Sequence, residues 1–233
     1  MDKDVTYETF LYLSNKKFIL CVIQDESKIV YEERKFIEND TNSIEFKKLS
    51  IFLDNNIFKI EKRIKDFIKD IYLILDVKDL FPIQVSTKNS NNGDLLTIPS
   101  LAYSLNEAKE QCFKTANKEK IIHMIIDNYQ VDNKNYSSFP KNIRCNNFSL
   151  DLRFICIPLF LVEDLEKILK KYQISIKQIL SKKYIEELFS DNDQNLFLKA
   201  KQTMNGFNQN EVKLEKRILK NVGFFEKFFN FFS

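Results

Sequence analysis

Glycine is scarce in this chain of 233 residues, which contains only Gly93, Gly206 and Gly223. Loops that cradle phosphate groups need closely spaced glycines, because backbone N–H groups must approach the oxygens without an intervening Cβ atom. None of the three glycines lies within ten residues of another. The sequence therefore excludes a P-loop, a Rossmann fingerprint and an actin-type phosphate loop. We expect a protein that is not an enzyme and that holds no cofactor.

The composition is that of a folded protein, with 44% hydrophobic and 30% charged residues. The net charge of +3 is too small to indicate binding of nucleic acid. A secretory signal is not expected, because the first residues are charged and no apolar segment follows them. The longest apolar run, residues 154–162, is also too short for a membrane-spanning helix of about 20 residues. These features predict a cytoplasmic protein.

Residues suited to catalysis or metal binding are few. The only histidine, His123, lies in an apolar run typical of a strand, where a histidine is usually structural. A histidine-based triad needs an orienting carboxylate and a nucleophile, and the sequence offers no specific candidate for either. The cysteines are far apart and form no C-x-x-C pair, which favours reduced, partly buried thiols and no metal site; they are Cys21, Cys112, Cys145 and Cys156.

The first third of the chain predicts strands followed by a helix. Apolar, β-prone segments within residues 8–37 alternate with turn-like polar segments, which predicts a three-stranded meander. Residues 72–77 have the composition of a further strand. Between them, apolar side chains recur every three or four residues, which predicts an amphipathic helix; they are Ile57, Ile60, Ile64, Phe67, Ile68 and Ile71.

A second unit is predicted over residues 87–190. Its first helix is expected to begin at Ser104, because Ser104 and Glu107 have the spacing of a capping box. The order that follows is strand, strand, helix, strand and a short helix, which predicts a compact α+β module. The polar composition of residues 191–212 predicts a flexible linker.

Residues 213–233 predict an amphipathic helix with an aromatic face. At about 100° per residue, its six phenylalanines fall within an arc of roughly 160°, and Glu226, Lys227 and Asn230 lie on the opposite side. A basic, aromatic helix of this kind is typical of binding in a membrane interface. The predicted membrane-binding residues are Leu214, Ile218, Val222, Phe224, Phe225, Phe228, Phe229, Phe231, Phe232, Lys216, Arg217 and Lys220.

Two alternatives remain for this aromatic face. It could dock into a groove of a protein partner, or it could pack on the core of its own chain. Half-burying one phenylalanine in a membrane stabilises the bound state by about 2–3 kcal/mol. The free-energy cost of forming and immobilising the helix must be subtracted from this gain. Each basic residue close to anionic lipid adds up to about 1 kcal/mol. We expect reversible membrane binding.

The order of these elements resembles FtsA, the actin-like bacterial cell-division protein, most closely over residues 104–190. Residues 116–125 and 129–132 look like that family's segment of the form ILHVIP…Y.LD. The terminal residues 223–232 resemble its amphipathic membrane anchor. The resemblance implies an α+β protein composed of a partial actin-like 1A-type subdomain (1–86), an SHS2/1C-like interaction module (87–190), a linker (191–212) and a membrane-binding helix (213–233).

The chain also departs from this family. The family's first hairpin carries a D-x-G-T-T phosphate loop, whereas the corresponding residues 12–17 read YLSNKK. The two later subdomains that complete the nucleotide cleft have no counterpart, and neither does the region that binds the FtsZ tail. The type IV pilus protein PilM, which shares the SHS2 module, is the competing resemblance.

The resemblance implies a non-catalytic adaptor that lies on the inner face of the cell membrane at the division site. Its expected partners are the lipid surface, division proteins that contact residues 87–190, and further copies of itself. The alternative function is that of a PilM-like structural or assembly protein, in which the phenylalanine-rich helix docks into a protein partner.

Overall fold

The computed structural model describes residues 5–38, 43–189 and 194–213. Two sheets and five helices in these ranges make an α+β fold, as the sequence predicts. In chain order the elements are β1 (Tyr7–Ser14), β2 (Lys17–Gln24), β3 (Lys28–Phe36), α1 (Phe46–Ile64), β4 (Asp70–Asp76), β5 (Phe81–Ser90), α2 (Ile98–Thr115), β6 (Glu119–Val131), β7 (Lys134–Tyr136), β8 (Asn147–Pro158), α3 (Leu159–Lys170), β9 (Ser175–Ser181), α4 (Lys182–Leu188) and α5 (Leu196–Met204).

The first sheet has the strand order β3-β2-β1-β4-β9. Strands β1 to β3 form the predicted antiparallel meander, and β4 and β9 continue the sheet parallel to β1. Helices cover both faces, so the central strands are apolar throughout. Leu11 and Leu13 of β1 point to the face covered by α1 and α3. Phe10 and Tyr12 point to the face covered by α4 and α5.

The second sheet has the order β5-β8-β6-β7, with every neighbouring pair antiparallel. Helix α2 packs on one face through Leu101, Ala108 and Cys112. On the other face, Ile125 and Ile155 form a small apolar cluster with Tyr184 of α4. Helix α4 also contributes to the core of the first sheet, so it lies between the two sheets and contacts both.

Helix α1 ends earlier than the hydrophobic repeat predicts. It stops at Ile64 because Lys65 adopts a left-handed conformation, with φ 56° and ψ 33°. Ile68 and Ile71 are still buried, but they lie in the following turn and in β4. Phe67, predicted to share the buried stripe, is instead 75% exposed.

Helix α2 begins six residues before the predicted start at Ser104. The capping box is formed by Thr97 and Ser100, whose side chains bond reciprocally to each other's backbone N–H groups. Ser104 is buried within the helix and accepts a hydrogen bond of 2.7 Å from the Asn89 amide. The predicted start was wrong because Ser104 pairs with β5 instead of capping the helix.

The linker prediction is wrong where residues 191–212 are described. Asn195 caps helix α5, whose Phe197 and Ala200 are buried against the first sheet. The polar composition of this segment concealed its few apolar positions, which fall on one face of a helix. The predicted grouping of elements also changes, because β9 pairs with β4 in the first sheet. The assignment of residues 87–190 to an SHS2-type module stays a prediction.

The four cysteines are free thiols and buried, in line with the sequence. Burial raises the pKa of Cys21 and of Cys156 to about 12. Both thiols are therefore protonated at neutral pH and are weak nucleophiles.

Candidate functional site

The parallel strands β1, β4 and β9 end at one edge of the first sheet, at Ser14, Asp76 and Ser181. Ligands of α/β proteins commonly bind outside the carboxyl ends of parallel strands. This edge of the sheet is therefore a candidate binding site. Two depressions open there. One lies beside the β1–β2 hairpin, and the other is a cleft between the two sheets.

The hairpin depression lies beside residues 12–17, the segment that the resemblance to FtsA aligns with a phosphate loop. The Ser14 hydroxyl oxygen accepts hydrogen bonds from the backbone N–H groups of Lys16 (3.3 Å) and Lys17 (3.1 Å). The same hydroxyl donates to the Lys17 carbonyl at 3.1 Å. Two of the amides that could contact an anion are thus engaged by the chain's own serine. The turn has the geometry of a closed hairpin, and it does not present an open amide nest.

One ion-pair network lies in the hairpin depression, which is also lined by Lys16, Lys17 and Lys78. Tyr12 donates its hydroxyl to Asp76 at 2.7 Å, and the Lys182 ammonium lies 3.2 Å from Asp76 and 3.3 Å from Glu186. Burial and the charge of Asp76 raise the pKa of Tyr12, so its hydroxyl stays protonated. This network joins β1, β4 and α4, and it occupies the carboxylate that could otherwise act as a general base.

The Tyr12–Asp76 bond gives a prediction for alkaline pH. We expect Tyr12→Phe to lower the free energy of unfolding at neutral pH by about 1–3 kcal/mol, the usual range for a hydrogen bond to a charged group. Because the folded pKa of Tyr12 is raised, its contribution is full below the unfolded value of about 10 and declines as pH rises above it. Denaturant unfolding of both proteins between about pH 8 and pH 11 should show this difference shrinking. A constant difference would contradict the assignment.

The cleft between the sheets is small and mainly apolar. It has a volume of about 210 Å³ and is lined by Leu80, Pro82, Ile155 and Tyr184, with Arg153 beside them. The Arg153 guanidinium is held by Asp127 at 3.1 Å and by Glu187 at 2.8 Å. The cleft therefore offers an apolar wall beside a neutralised guanidinium, with Asp76 and Lys183 also in its lining.

His123 joins the two sheets. The Ser181 backbone N–H donates to His123 Nε2 at 3.0 Å, so the ring proton resides on Nδ1. Nδ1 then donates to Glu211 Oε1 at 2.7 Å, and the other Glu211 oxygen accepts from the Tyr184 hydroxyl at 3.0 Å. The His123 residue is only 2% exposed. These contacts fit the structural role expected for this histidine.

Glu211 belongs to the C-terminal strap, residues 208–213, which lies along the edge of β6. The Ile126 N–H donates to the Asn210 carbonyl at 3.0 Å, and the Val212 N–H donates to the Met124 carbonyl at 2.8 Å. Sequence reasoning missed the strap because the segment is polar, and because Glu211 is 88 positions from His123. No local pattern connects the two residues.

The residues predicted to bind a membrane lie outside the described part of the chain. These are Leu214, Lys216, Arg217, Ile218, Lys220, Val222 and the six phenylalanines from Phe224 to Phe232. The description stops at Lys213, which shares a shallow depression with Lys177 and Gln178 of β9. The strap therefore fixes the point at which residues 214–233 begin, and their membrane binding stays a prediction.

The described part of the chain holds neither a candidate metal site nor a helix that could cross a membrane. Within residues 5–38, 43–189 and 194–213, no group of three or more histidine, cysteine, aspartate or glutamate side chains is placed to hold a metal ion. In the same part of the chain, no helix is both long and apolar enough to cross a bilayer.

Comparison with known proteins gives structural likeness only. No family model matches the chain, and no curated protein matches its sequence. One similar solved structure is the cytoplasmic domain of EpsL, an inner membrane component of the type II secretion system of Vibrio cholerae. The identity is 10% and the TM-score 0.40, over 77% of this chain and 59% of that one.

Two further structures are similar at the same level. The PilM–PilN type IV pilus biogenesis complex matches with 7% identity and a TM-score of 0.47, over 80% of this chain and 52% of that one. A Bacteroides thetaiotaomicron protein with an actin-like ATPase fold and unknown function matches with 15% identity and a TM-score of 0.31, over 78% and 55%. The chain thus spans between 52% and 59% of the solved structures it matches. FtsA is not among these three.

Proposed function

We propose that this chain is a non-catalytic adaptor of FtsA-like organisation. It associates with the inner face of the cell membrane through residues 213–233 and recruits division proteins through residues 87–190. The observation that carries the non-catalytic part is the closed carboxyl edge of β1 and β4. There, Ser14 occupies the hairpin amides and Lys182 is paired with Asp76.

The closed edge disfavours nucleotide chemistry for a physical reason. A triphosphate needs several free N–H groups and a cation that can leave its protein partner for the phosphate. At this edge Ser14 holds the amides of Lys16 and Lys17, and no glycine lets the backbone approach a phosphate. Lys182 would have to leave Asp76, although Lys16, Lys17 and Lys78 also line the depression. The remaining contacts of the chain hold elements together, which suits a binding module better than a catalyst.

The membrane part of the proposal rests on the sequence of residues 214–233 and on where they begin. Six phenylalanines on one face give a gross hydrophobic term above about 10 kcal/mol, from which the costs of ordering must be subtracted. The segment starts beside Lys213 and Lys177, two cations that favour an anionic lipid surface. The alternative is a PilM-like assembly protein in which a protein groove takes the place of the lipid.

We expect the purified protein to show no saturable binding of ATP and magnesium at micromolar concentrations. The reason is the occupied hairpin amides together with the lack of a glycine-rich loop. Isothermal titration calorimetry of the full chain is the direct measurement. Saturable micromolar binding would contradict the proposal, and its loss in the Lys182→Ala variant would show that this lysine can leave Asp76 for a phosphate.

The cellular function is tested by a fluorescent fusion of the full chain in dividing cells of its source organism. We expect a band at the division site, and diffuse fluorescence when residues 214–233 are deleted. Membrane fluorescence without enrichment at that site would contradict the division role and leave the assembly role. Diffuse fluorescence of the full-length fusion would contradict membrane association itself.

A further inference from the structure

An apolar groove runs between α1 and the turns that flank β4 and β9. Its volume is about 670 Å³, and its apolar lining comes from Ile57, Phe58, Phe67, Ile68 and Tyr172. We refer to it as the α1 groove. It lies on the side of the molecule away from the carboxyl edge of the sheet, since it borders the residues that precede β4 and β9.

Two aromatic side chains of the α1 groove are largely open to water. Phe58 is 72% exposed and Phe67 is 75% exposed. Ile51, which is 52% exposed, lies two helical turns before Phe58 on the same side of α1. Single exposed apolar residues are ordinary, whereas a contiguous set around a groove marks a contact surface.

The two carboxylates of the α1 groove, Asp54 and Glu61, accept hydrogen bonds within its walls, and Lys69 and Gln173 also line it. Tyr172 donates its hydroxyl to Asp54 at 2.6 Å, and the Ile68 N–H donates to Glu61 at 3.2 Å. These bonds hold the α1 wall to the opposite wall. Because Asp54 and Glu61 already accept hydrogen bonds, an apolar side chain can enter the groove without desolvating an unpaired carboxylate.

The described chain ends near this groove. Lys213 lies beside Lys177 and Gln178, in the middle of β9, and Gln173 at the groove lies two residues before the start of that strand. Four or five extended residues separate the two places along β9, a distance of about 15 Å. Residues 214–233 number twenty, and a helix of that length spans about 30 Å. The segment is therefore long enough to reach the groove and to lie along it.

We propose that residues 214–233 pack their phenylalanine face into the α1 groove of the same chain when no membrane is present. The aromatic arc and the exposed aromatic walls are complementary, and the short reach makes this contact intramolecular. The membrane and the groove then compete for the same phenylalanines. This goes beyond the proposed function, because the docking holds with or without a lipid partner.

The natural absence of tryptophan allows a direct test. In the full chain carrying Phe228→Trp, we expect tryptophan emission at a shorter wavelength than in the denatured protein and several-fold protection from iodide. Adding Phe58→Ser and Phe67→Ser should shift the emission to that of an exposed tryptophan and abolish the protection. The matched control is Phe36→Ser with Ile98→Ser, which removes two equally exposed apolar side chains outside the groove and should change nothing.

An empty α1 groove, a second copy of the chain and a lipid surface each give a different result in this experiment. Exposed emission in the Phe228→Trp protein overturns the proposal, and so does protected emission that the groove substitutions leave unchanged. Protection that disappears on dilution indicates the groove of a second copy and overturns the intramolecular contact. Vesicles of phosphatidylglycerol are a separate arm. If they fail to bind while groove protection persists, the membrane function fails and this inference stands. If they bind the groove variant no more tightly than the parent, the competition is overturned.

Discussion

Replacing both Phe225 and Phe229 with glutamate is expected to lower binding to anionic vesicles by roughly a thousandfold. The two positions are four residues apart within the aromatic arc, so both carboxylates would be placed where acyl chains begin. Loss of two half-buried rings alone removes about 4–6 kcal/mol, and each factor of ten corresponds to about 1.4 kcal/mol. Co-sedimentation with phosphatidylglycerol vesicles measures the change directly.

The matched control replaces the same two phenylalanines with leucine. Leucine keeps an apolar side chain on the arc, so vesicle binding should fall far less than in the glutamate variant. The melting temperature should change little in both variants, because a membrane anchor needs no contact with the cores of the two sheets and release from the α1 groove removes only a peripheral contact. A large drop in melting temperature for the glutamate variant would show that the arc is a buried part of the fold, and it would contradict the membrane anchor.

The parts of the fold that the sequence predicts well are those set by neighbouring residues. The meander of β1 to β3 follows from β-prone runs and short turns, whereas the hydrophobic repeat, which begins at Ile57, locates only the last eight residues of α1. The end of α1 could not be predicted, since Lys65 takes the left-handed conformation that glycine usually adopts at such a position. Phe67 was consequently assigned to the core, although it forms a wall of the α1 groove.

The parts that sequence reasoning missed depend on distant partners. The place of β9 beside β4 is set by parallel pairing across about a hundred residues, which no local periodicity reveals. The same holds for the strap, where the polar residues Asn210 and Glu211 are ordered by bonds to β6 and α4. The polar composition of residues 191–212 indicated a flexible linker, because composition carries no information about hydrogen bonds to distant residues.

The second prediction with a large expected effect is a loss of stability when the contact between His123 and the strap is removed. Replacing His123 with alanine should lower the free energy of unfolding by about 3–5 kcal/mol, because the largely buried Glu211 carboxylate loses the hydrogen bond from the neutral imidazole and the missing ring leaves a cavity. The substitution leaves the Ser181 amide and the Glu211 carboxylate without the imidazole. It also removes a ring whose centroid lies 4.4 Å from that of Tyr184. Denaturant unfolding monitored by circular dichroism measures the loss.

A double-mutant cycle with Glu211→Gln separates the free energy of the His123–Glu211 hydrogen bond from the cost of the cavity that the missing ring leaves. If His123 and Glu211 stabilise the strap jointly, the two substitutions together should cost less than the sum of their separate costs, by about 1–3 kcal/mol. Glu187→Gln is the control, because its bond to Arg153 is more exposed and should contribute about 1 kcal/mol or less. A cost for His123→Ala no larger than that of this control would contradict the stabilising role of the His123–Glu211 hydrogen bond.

Since the strap sets where residues 214–233 begin, loss of the His123–Glu211 bond should also weaken the protection of Trp in the Phe228→Trp protein. That outcome would link the buried histidine to the position of the aromatic segment.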